Sequence, residues 1–166
     1  MKPEHVISPG NLRAAQAARL SLYPHMGPAD ARVWDAALKL HLVQFDSVEY
    51  AVRLGGAGAL AMDKAHTHRK MYETLLRKRV DVVGYSRAGV TVIEVKPYGG
   101  FAALGQCLGY LDLWQRERPG PEKVQALCVC AILDPDLGPT FAKFGVRVVA
   151  LPPDEAQHVL APSRHV

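Results

Sequence analysis

Two acidic residues and a lysine stand in neighbouring β-rich stretches of this 166-residue sequence. Asp81 lies in the stretch 80–85, and Glu94 and Lys96 lie in the stretch 91–96, whose other residues are mostly valine and isoleucine. Residues two apart on a strand point to the same face, so Glu94 and Lys96 share one. Charged side chains inside apolar strands are costly unless they are paired or bound to a metal. We therefore take these three residues as the candidates for chemistry.

The segment between the two stretches, Ser86–Gly89, predicts a hairpin turn in which Gly89 supplies a positive φ. A turn centred between residues 87 and 88 places Asp81 directly opposite Glu94. Their Cβ atoms would then lie roughly 5 Å apart on one face of the sheet. A slip of one residue would put them on opposite faces, although a bulge at Gly89 could restore the register.

Two carboxylates at such a distance repel each other unless a cation lies between them. Oxygen ligands without a nearby thiolate favour a hard ion, so the expected cofactor is Mg²⁺ or Mn²⁺. Lys96 next to that ion could stabilise charge on a phosphate or help to orient an attacking water. The alternative is a surface hairpin with a Glu-Lys ladder, which the apolar neighbours of Glu94 disfavour.

At these residues the sequence resembles the PD-(D/E)xK nuclease superfamily, whose hallmark is an acidic residue on one strand, then Glu-x-Lys on the next, then a helix. The matching residues are Asp81 and Glu94-Val95-Lys96, and the resemblance covers residues 30–133. It implies a restriction-endonuclease-like αβββαβ core. It also implies that Asp81, Glu94 and the Val95 carbonyl hold the metal and that Lys96 is the catalytic lysine.

A second motif lies in the predicted helix that follows. Gln106 and Tyr110 are similar to the Gln-x-x-x-Tyr motif of RecB-like nucleases, and as i and i+4 they share one helix face, which could look toward the site. The resemblance makes both candidate catalytic residues. The glutamate that this family often has on the upstream helix is missing. Asp35 could replace it, but its helix face also carries Leu38 and Leu42, which favours an ordinary surface aspartate.

A cluster of basic residues precedes Asp81. It consists of Lys64, Arg69, Lys70, Arg77, Lys78 and Arg79, with His66 and His68 among them. Such clustering suits a polyanion, above all nucleic acid, so these six cations are the predicted nucleic-acid-binding residues. The alternative is a solvated helix face. The two histidines with Asp63 could form a separate metal site, but a basic loop that touches phosphate is the simpler explanation.

Hydrophobic periodicity predicts an α/β fold with a mixed central sheet flanked by helices. The predicted helices cover 10–22, Asp30 to about Leu42, 66–78 and 101–116, with a helical turn at Phe141 and Phe144; the predicted strands cover 47–54, 80–85, 91–96, 124–133 and 146–151. We expect Pro97 to end the second hairpin strand. We expect one domain over residues 1–166, with a core at about 30–151, a helical extension at 1–28 and a tail at 152–166 with one more turn of helix.

Charge and composition bear on the cellular compartment in which the protein is expected. The net charge is +4 at pH 7, and no apolar run approaches the roughly 18 residues of a membrane span. The N-terminus lacks the apolar stretch of a signal peptide, and the odd count of three cysteines favours a reducing compartment. We therefore expect no membrane partner and a cytoplasmic location, either the host cytoplasm or the virion if the protein is encoded by a phage.

The predicted function is metal-dependent hydrolysis of DNA phosphodiester bonds with water as the nucleophile. The small size resembles phage or mobile-element accessory nucleases, including those that process DNA or complete virion heads. The alternative from another class is a catalytically silent nuclease-fold module that serves DNA binding or virion assembly. RNA as the substrate, a homo-oligomer, and a virion or DNA-processing partner all stay open.

Overall fold

The computed structural model describes residue 20, residues 22–56 and residues 76–161. The elements in order are α1 (Pro28–Lys39), β1 (Ser47–Leu54), β2 (Lys78–Ser86), β3 (Gly89–Gly99), α2 (Phe101–Glu117), β4 (Val124–Leu133), α3 (Gly138–Lys143), β5 (Val146–Ala150) and α4 (Pro153–Leu160). The predicted αβββαβ order is confirmed from α1 to β4. Most of the predicted helix at 10–22 and most of the one at 66–78 lie outside the described residues. None of the described helices is long and apolar enough to cross a membrane.

One mixed five-stranded sheet holds the strands in chain order. β1, β2 and β3 are joined by antiparallel pairing, whereas β3, β4 and β5 run parallel to one another. Parallel neighbours need a crossover connection, which α2 and α3 provide. β4 lies between two parallel strands and is buried throughout 126–131, as its nearly continuous apolar sequence predicts. The fold class is therefore α/β with the restriction-endonuclease-like architecture expected from the sequence.

Helices cover both faces of the sheet and give β3 two different environments. Ile93 and Val95 belong to the core under α1 and α4, together with Trp34. Val92 belongs to the core under α2, together with Trp114. Side chains alternate along a strand, so Glu94 and Lys96 point to the α2 face. This alternation places the charged residues of β3 on the face that α2 covers.

The first helix begins earlier and ends earlier than predicted. Gly27 is its N-cap and Pro28 occupies the first helical turn, where a missing N–H costs nothing. Asp30, the predicted start of the helix, therefore lies inside its first turn. The helix ends at Lys39, and His41 adopts a positive φ of 54° that no helix can continue. The helix predicted to run to about Leu42 therefore ends three residues earlier.

The prediction that Pro97 ends β3 is also wrong. The Val95 N–H points towards β2, where it donates a hydrogen bond to the Asp81 carboxylate. Two residues further along the strand, the Pro97 nitrogen faces the same side, beyond the last β2–β3 pair, where no ladder partner needs an N–H. The strand continues for two residues by pairing with β4, with Tyr98 opposite Ile132.

The segment predicted as a C-terminal tail with one turn of helix contains the eight-residue helix α4. Ala156 and Val159 of this helix are buried in the same core as α1. The Arg32 side chain of α1 donates from Nε to the Val159 carbonyl over 2.9 Å. These contacts make α4 part of the packed domain.

Candidate active site

The β2–β3 ladder stops where the candidate residues begin. The last antiparallel pair is Val82 with Ile93, so the predicted register holds up to the residues next to Asp81 and Glu94. The Asp81 carboxylate reaches across and accepts a hydrogen bond of 3.0 Å from the Val95 N–H. The N–H and carbonyl of one strand residue point to the same side, so the Val95 carbonyl also faces β2. We call this region, where β2 and β3 no longer pair, the open end of the hairpin.

Three charged side chains meet at this open end. The Lys96 ammonium lies 2.7 Å from Glu94 Oε1 and 3.9 Å from Asp81 Oδ2. The Glu94 side chain is fully buried, whereas those of Asp81 and Lys96 keep partial access to solvent. The structure therefore brings the three sequence-predicted residues together, with solvent access on the side of Asp81 and Lys96.

Burial and like charge control ionisation in the cluster. Burial, followed by the nearby Asp81 carboxylate, raises the pKa of Glu94 to about 7, although the Lys96 ion pair opposes this shift. Burial likewise raises the pKa of Asp81, against the opposing effects of the Val95 hydrogen bond and Lys96. Burial lowers the pKa of Lys96, but its hydrogen bond to Glu94 and the surrounding carboxylates raise it overall. Two ionised carboxylates against one ammonium thus leave the cluster with a net negative charge.

The environment of Glu94 fits a divalent cation. Apart from the Lys96 ammonium, no donor among the described residues reaches either carboxylate oxygen of Glu94. Buried carboxylates without full compensation are unusual and costly. Three-membered clusters of His, Cys, Asp and Glu side chains that could hold a metal are absent from the described residues. Asp81 and Glu94, completed by the Val95 carbonyl, fit Mg²⁺, which commonly uses one or two carboxylates and keeps several waters.

Helix α2 carries the predicted pair of residues, and Tyr110 interacts electrostatically with the cluster. Gln106 Nε2 donates a hydrogen bond of 3.0 Å to the Tyr110 hydroxyl. Burial, followed by the negative charge of Glu94, raises the pKa of Tyr110 to about 12, which places that ring within electrostatic reach of the carboxylate. Gln106 contacts Tyr110 directly, and this contact holds the pair on the α2 side of the site.

Asp30 is a further residue near the cluster, which the sequence patterns did not indicate. The Asp30 charge contributes to the raised pKa values of Asp81, Glu94 and Lys96, so the first turn of α1 lies close to the cluster. Asp35 instead accepts a hydrogen bond of 3.1 Å from the Tyr23 hydroxyl. Pro28 indicated only that the helix begins before Asp30, because proline is favoured in the first helical turn.

Backbone strain lies opposite Asp81. The β1–β2 register passes from Tyr50–Val82 to Val52–Val80 and omits the intervening residues. Ala51, the β1 residue at this gap, has a φ of 57°, a left-handed conformation that costs a non-glycine residue about 1–2 kcal/mol. Strain of this kind often accompanies functional sites. Here it interrupts the regular pairing of β2 at the residue whose carboxylate enters the cluster.

Only part of the predicted basic surface falls within the described residues. Lys64, Arg69 and Lys70 lie outside them, as do His66, His68 and Asp63 of the alternative metal site. Arg77 donates over 2.6 Å to the Gly55 carbonyl and pairs with Glu117 at 3.4 Å. Arg77 therefore joins the end of β1 to the end of α2. Lys78 and Arg79 are exposed at the start of β2 and stay candidates for phosphate contact.

Comparisons with known proteins add little to this geometry. No family model and no curated protein matches the chain. Among solved structures the chain is similar to a repair endonuclease from Pyrococcus abyssi, at 21% sequence identity and a TM-score of 0.40. The match covers 63% of this chain and 40% of the other, so it spans less than half of that protein's length. At this level of similarity, a functional assignment depends on the site's own geometry.

Proposed function

We propose that this protein is a metal-dependent nuclease that hydrolyses DNA phosphodiester bonds at Asp81, Glu94 and Lys96. The observation that carries the proposal is the fully buried Glu94 carboxylate, beside Asp81 and compensated among the described residues by Lys96 alone. A buried pair of carboxylates next to a lysine at a ladder end is suited to a hard cation and a phosphate. We further propose that the chain belongs to the RecB-like branch and acts in phage or mobile-element DNA processing or head completion.

Each residue has a definite task in this proposal. Asp81, Glu94 and the Val95 carbonyl would hold Mg²⁺ or Mn²⁺, which when bound polarises a phosphoryl oxygen and lowers the pKa of water. The Lys96 ammonium has a raised pKa, stays charged at neutral pH and can stabilise negative charge on the phosphate. Tyr110 and Gln106 line the site from α2 and position the reacting groups. Asp30 adds negative charge that favours cation binding.

DNA is the proposed substrate because exposed cations precede the cluster on the same strand. Lys78 and Arg79 are exposed at the start of β2, and Asp81 follows two residues after Arg79. Cations at this distance can contact phosphates that flank the scissile bond. Phosphate contacts carry no sequence information, so we propose cleavage without strong sequence preference.

The deciding experiment measures cleavage of supercoiled plasmid with Mg²⁺ or Mn²⁺ and with EDTA. We expect nicking that EDTA abolishes and that Glu94→Gln and Asp81→Asn both eliminate. Asp112→Asn is the matched control, because this exposed carboxylate on α2 pairs with Arg116 and plays no part in the cluster. Wild-type cleavage by purified Glu94→Gln would reject the site. Absence of cleavage in every protein, with DNA binding retained, would favour the silent DNA-binding module, and cleavage of RNA alone would replace the substrate.

A further inference from the structure

The paired strands β1 and β2 change face at one point beside the candidate active site. On β1, Tyr50 lies in the core under α1, whereas Val52 packs against the core under α2. On β2, Val82 lies in the core under α1 and Val80 in the core under α2. Residues two apart on a regular strand share one face, so both strands depart from regular alternation here. We call this point, which falls at Ala51 and Asp81, the face switch.

The face switch has a conformational cause. The register of β1 and β2 is the same on both sides of it, and one residue of each strand, Ala51 and Asp81, is left out of the pairing. No extra residue is inserted, as a bulge would require. Of the two, only Ala51 has a positive φ, at 57°. A strand residue has a φ of about −120° to −140°, so this value rotates the following chain by roughly half a turn.

The face switch removes the partner that Val95 would have in a regular hairpin. The Val95 N–H points towards β2, so a ladder that continued two residues beyond Ile93 would pair Val95 with Val80. In that pair the Val80 N–H would donate to the Val95 carbonyl. The ladder stops at Val82 instead, and the Asp81 carboxylate accepts the Val95 N–H over 3.0 Å.

The Val95 carbonyl therefore needs another partner. Val95 is fully buried, and a buried carbonyl that accepts no hydrogen bond is costly. Among the described residues, no pair of the β2–β3 ladder reaches this carbonyl. It faces β2 at the open end, where the Asp81 and Lys96 side chains keep access to solvent. A hard cation held by Asp81 and Glu94 would satisfy it as a main-chain oxygen ligand.

We infer that Ala51 is a positioning residue for the cation, because its left-handed conformation produces the face switch that leaves the Val95 carbonyl and the Asp81 carboxylate together at the open end. The inference rests on the proposed function and adds a residue of β1 that acts on the metal through other residues. A cation that requires the face switch binds more weakly when the switched conformation is less populated. Metal affinity should therefore depend on how well residue 51 tolerates a positive φ.

The first experiment observes the Val95 carbonyl itself. A Val-Lys step occurs in the sequence only at residues 95–96, and a Val-Gly step only at residues 83–84. Protein that contains ¹³C-carbonyl valine with ¹⁵N-labelled lysine and glycine therefore gives two carbonyl–amide correlation peaks. Val83 is the control, because it is paired with Val92 inside the ladder. We expect Mg²⁺ to shift the Val95 carbonyl resonance saturably and to leave that of Val83 in place. No shift at Val95 would overturn the inference.

The second experiment changes the tolerance for a positive φ at position 51. Ala51→Val introduces a β-branched residue, for which a positive φ is an outlier, whereas Ala51→Gly and Ala51→Asn tolerate it. Ala150→Val is the matched control, because Ala150 is an exposed alanine of β5 without a positive φ. All variants carry Gly105→Ala as a common background, since open space surrounds this helical glycine and the substitution should stabilise the fold.

We expect Ala51→Val to weaken Mg²⁺ binding about tenfold or more, as measured by the Val95 shift. Ala51→Gly, Ala51→Asn and Ala150→Val should keep the dissociation constant within about twofold of the background. Ala51→Gly should also raise the melting temperature, whereas glycine in a regular strand would lower it.

Three results would overturn the positioning role: unchanged Mg²⁺ affinity in a folded Ala51→Val, an equal loss in Ala51→Asn or Ala150→Val, and a lower melting temperature for Ala51→Gly. Circular dichroism checks that each variant is folded. If Ala51→Val does not fold, the melting temperature of Ala51→Gly and the wild-type shift of Val95 decide.

Failure of this inference and failure of the proposed function are distinguishable. The Mg²⁺ titration requires no DNA, and the plasmid assay with Glu94→Gln requires no signal from Val95. Metal-dependent cleavage with unchanged Mg²⁺ affinity in Ala51→Val would remove the positioning role alone. Weakened Mg²⁺ binding in Ala51→Val, without cleavage by the wild type, would keep the positioning role and remove the nuclease.

Discussion

The two ends of the β2–β3 hairpin differ in how fully their polar groups are hydrogen-bonded. At the turn, the Ala88 N–H reaches the Ser86 hydroxyl at 3.2 Å, and the Val90 N–H donates to the Lys123 carbonyl at 2.9 Å. At the open end the ladder stops, and the fully buried Glu94 carboxylate has only the Lys96 ammonium within reach among the described side chains.

The turn contributes to the stability of the fold, whereas the open end lowers it. Satisfied backbone groups at the turn fix the register that brings Asp81 next to Glu94. Undercompensated charge at the other end destabilises the chain without a cation, and it prepares the site to bind one. Substitutions at the turn should therefore change stability, whereas substitutions at the open end should change chemistry and the response to metal and pH.

The largest expected effect is at the open end. Lys96→Ala should lower the cleavage rate about a thousandfold, because several kcal/mol of charge stabilisation at the phosphate are lost. DNA affinity should stay within about twofold, since one cation of a larger basic surface is removed. Single-turnover cleavage and anisotropy on the same substrate measure the two quantities. Equal losses in rate and affinity would make Lys96 a phosphate anchor instead.

At the turn the expected effect is on folding. Gly89 has a φ of 118°, and an added Cβ would collide with the Lys123 carbonyl. Gly89→Ala should therefore reduce the free energy of unfolding by about 2–4 kcal/mol, as seen in urea titration. Gly105→Ala is the control, because open space surrounds this helical glycine and the substitution should stabilise by roughly 0.5–1 kcal/mol. A neutral Gly89→Ala would show that the turn does not fix the register.

The pH dependence of stability gives a third test. In the metal-free folded protein the pKa of Glu94 is raised from 4.5 to about 7, so the folded state binds more protons than the unfolded state between these values. Stability should therefore fall as pH rises through this window, and the contribution of Glu94 is lost above about pH 7. The raised pKa of Asp81 acts with the same sign from its usual value of 3.8 upwards.

Glu94→Gln should remove this loss and stabilise the metal-free protein at pH 8 by about 2 kcal/mol. Added Mg²⁺ should stabilise the wild type at pH 8 more than at pH 5, and should have little effect on the variant. Urea titrations at both pH values decide the matter. Wild-type stability that rises from pH 5 to pH 8, or a variant with the same pH dependence, would contradict the assignment of Glu94.

The smallest expected effect separates two kinds of basic residue. Replacing the exposed Lys78 and Arg79 with alanine should flatten the slope of log affinity against log salt by up to about two units. Arg77→Ala should leave that slope unchanged and lower stability, because Arg77 holds Gly55 and Glu117. Anisotropy titrations at several salt concentrations measure the slopes. An unchanged slope for the double variant would place the start of β2 outside the DNA-binding surface.

Local patterns were enough to predict much of the fold and the pair at the ladder end. The hairpin register follows from one short turn, and β4 follows from a continuous apolar run, so neither depends on distant residues. The proximity of Asp30 to the cluster depends on how α1 crosses the sheet, which no local pattern contains. Local patterns also do not contain the contacts of Arg77, whose partners are 22 and 40 residues away in the sequence. Nor do they show that β3 can continue through Pro97, because this depends on where β2 stops pairing.

The connection lengths within the sheet bear on the order in which the chain folds. A two-residue turn joins β2 to β3, and such hairpins form within microseconds. Pairing of β3 with β4 must wait until the 17-residue helix α2 has crossed over, which makes it a slower, non-local step. We therefore expect Asp81 and Glu94 to be aligned while still in water and to lose their hydration when α2 and β4 dock. A metal ion that enters at that last step would speed completion of folding without being needed to set the strand register.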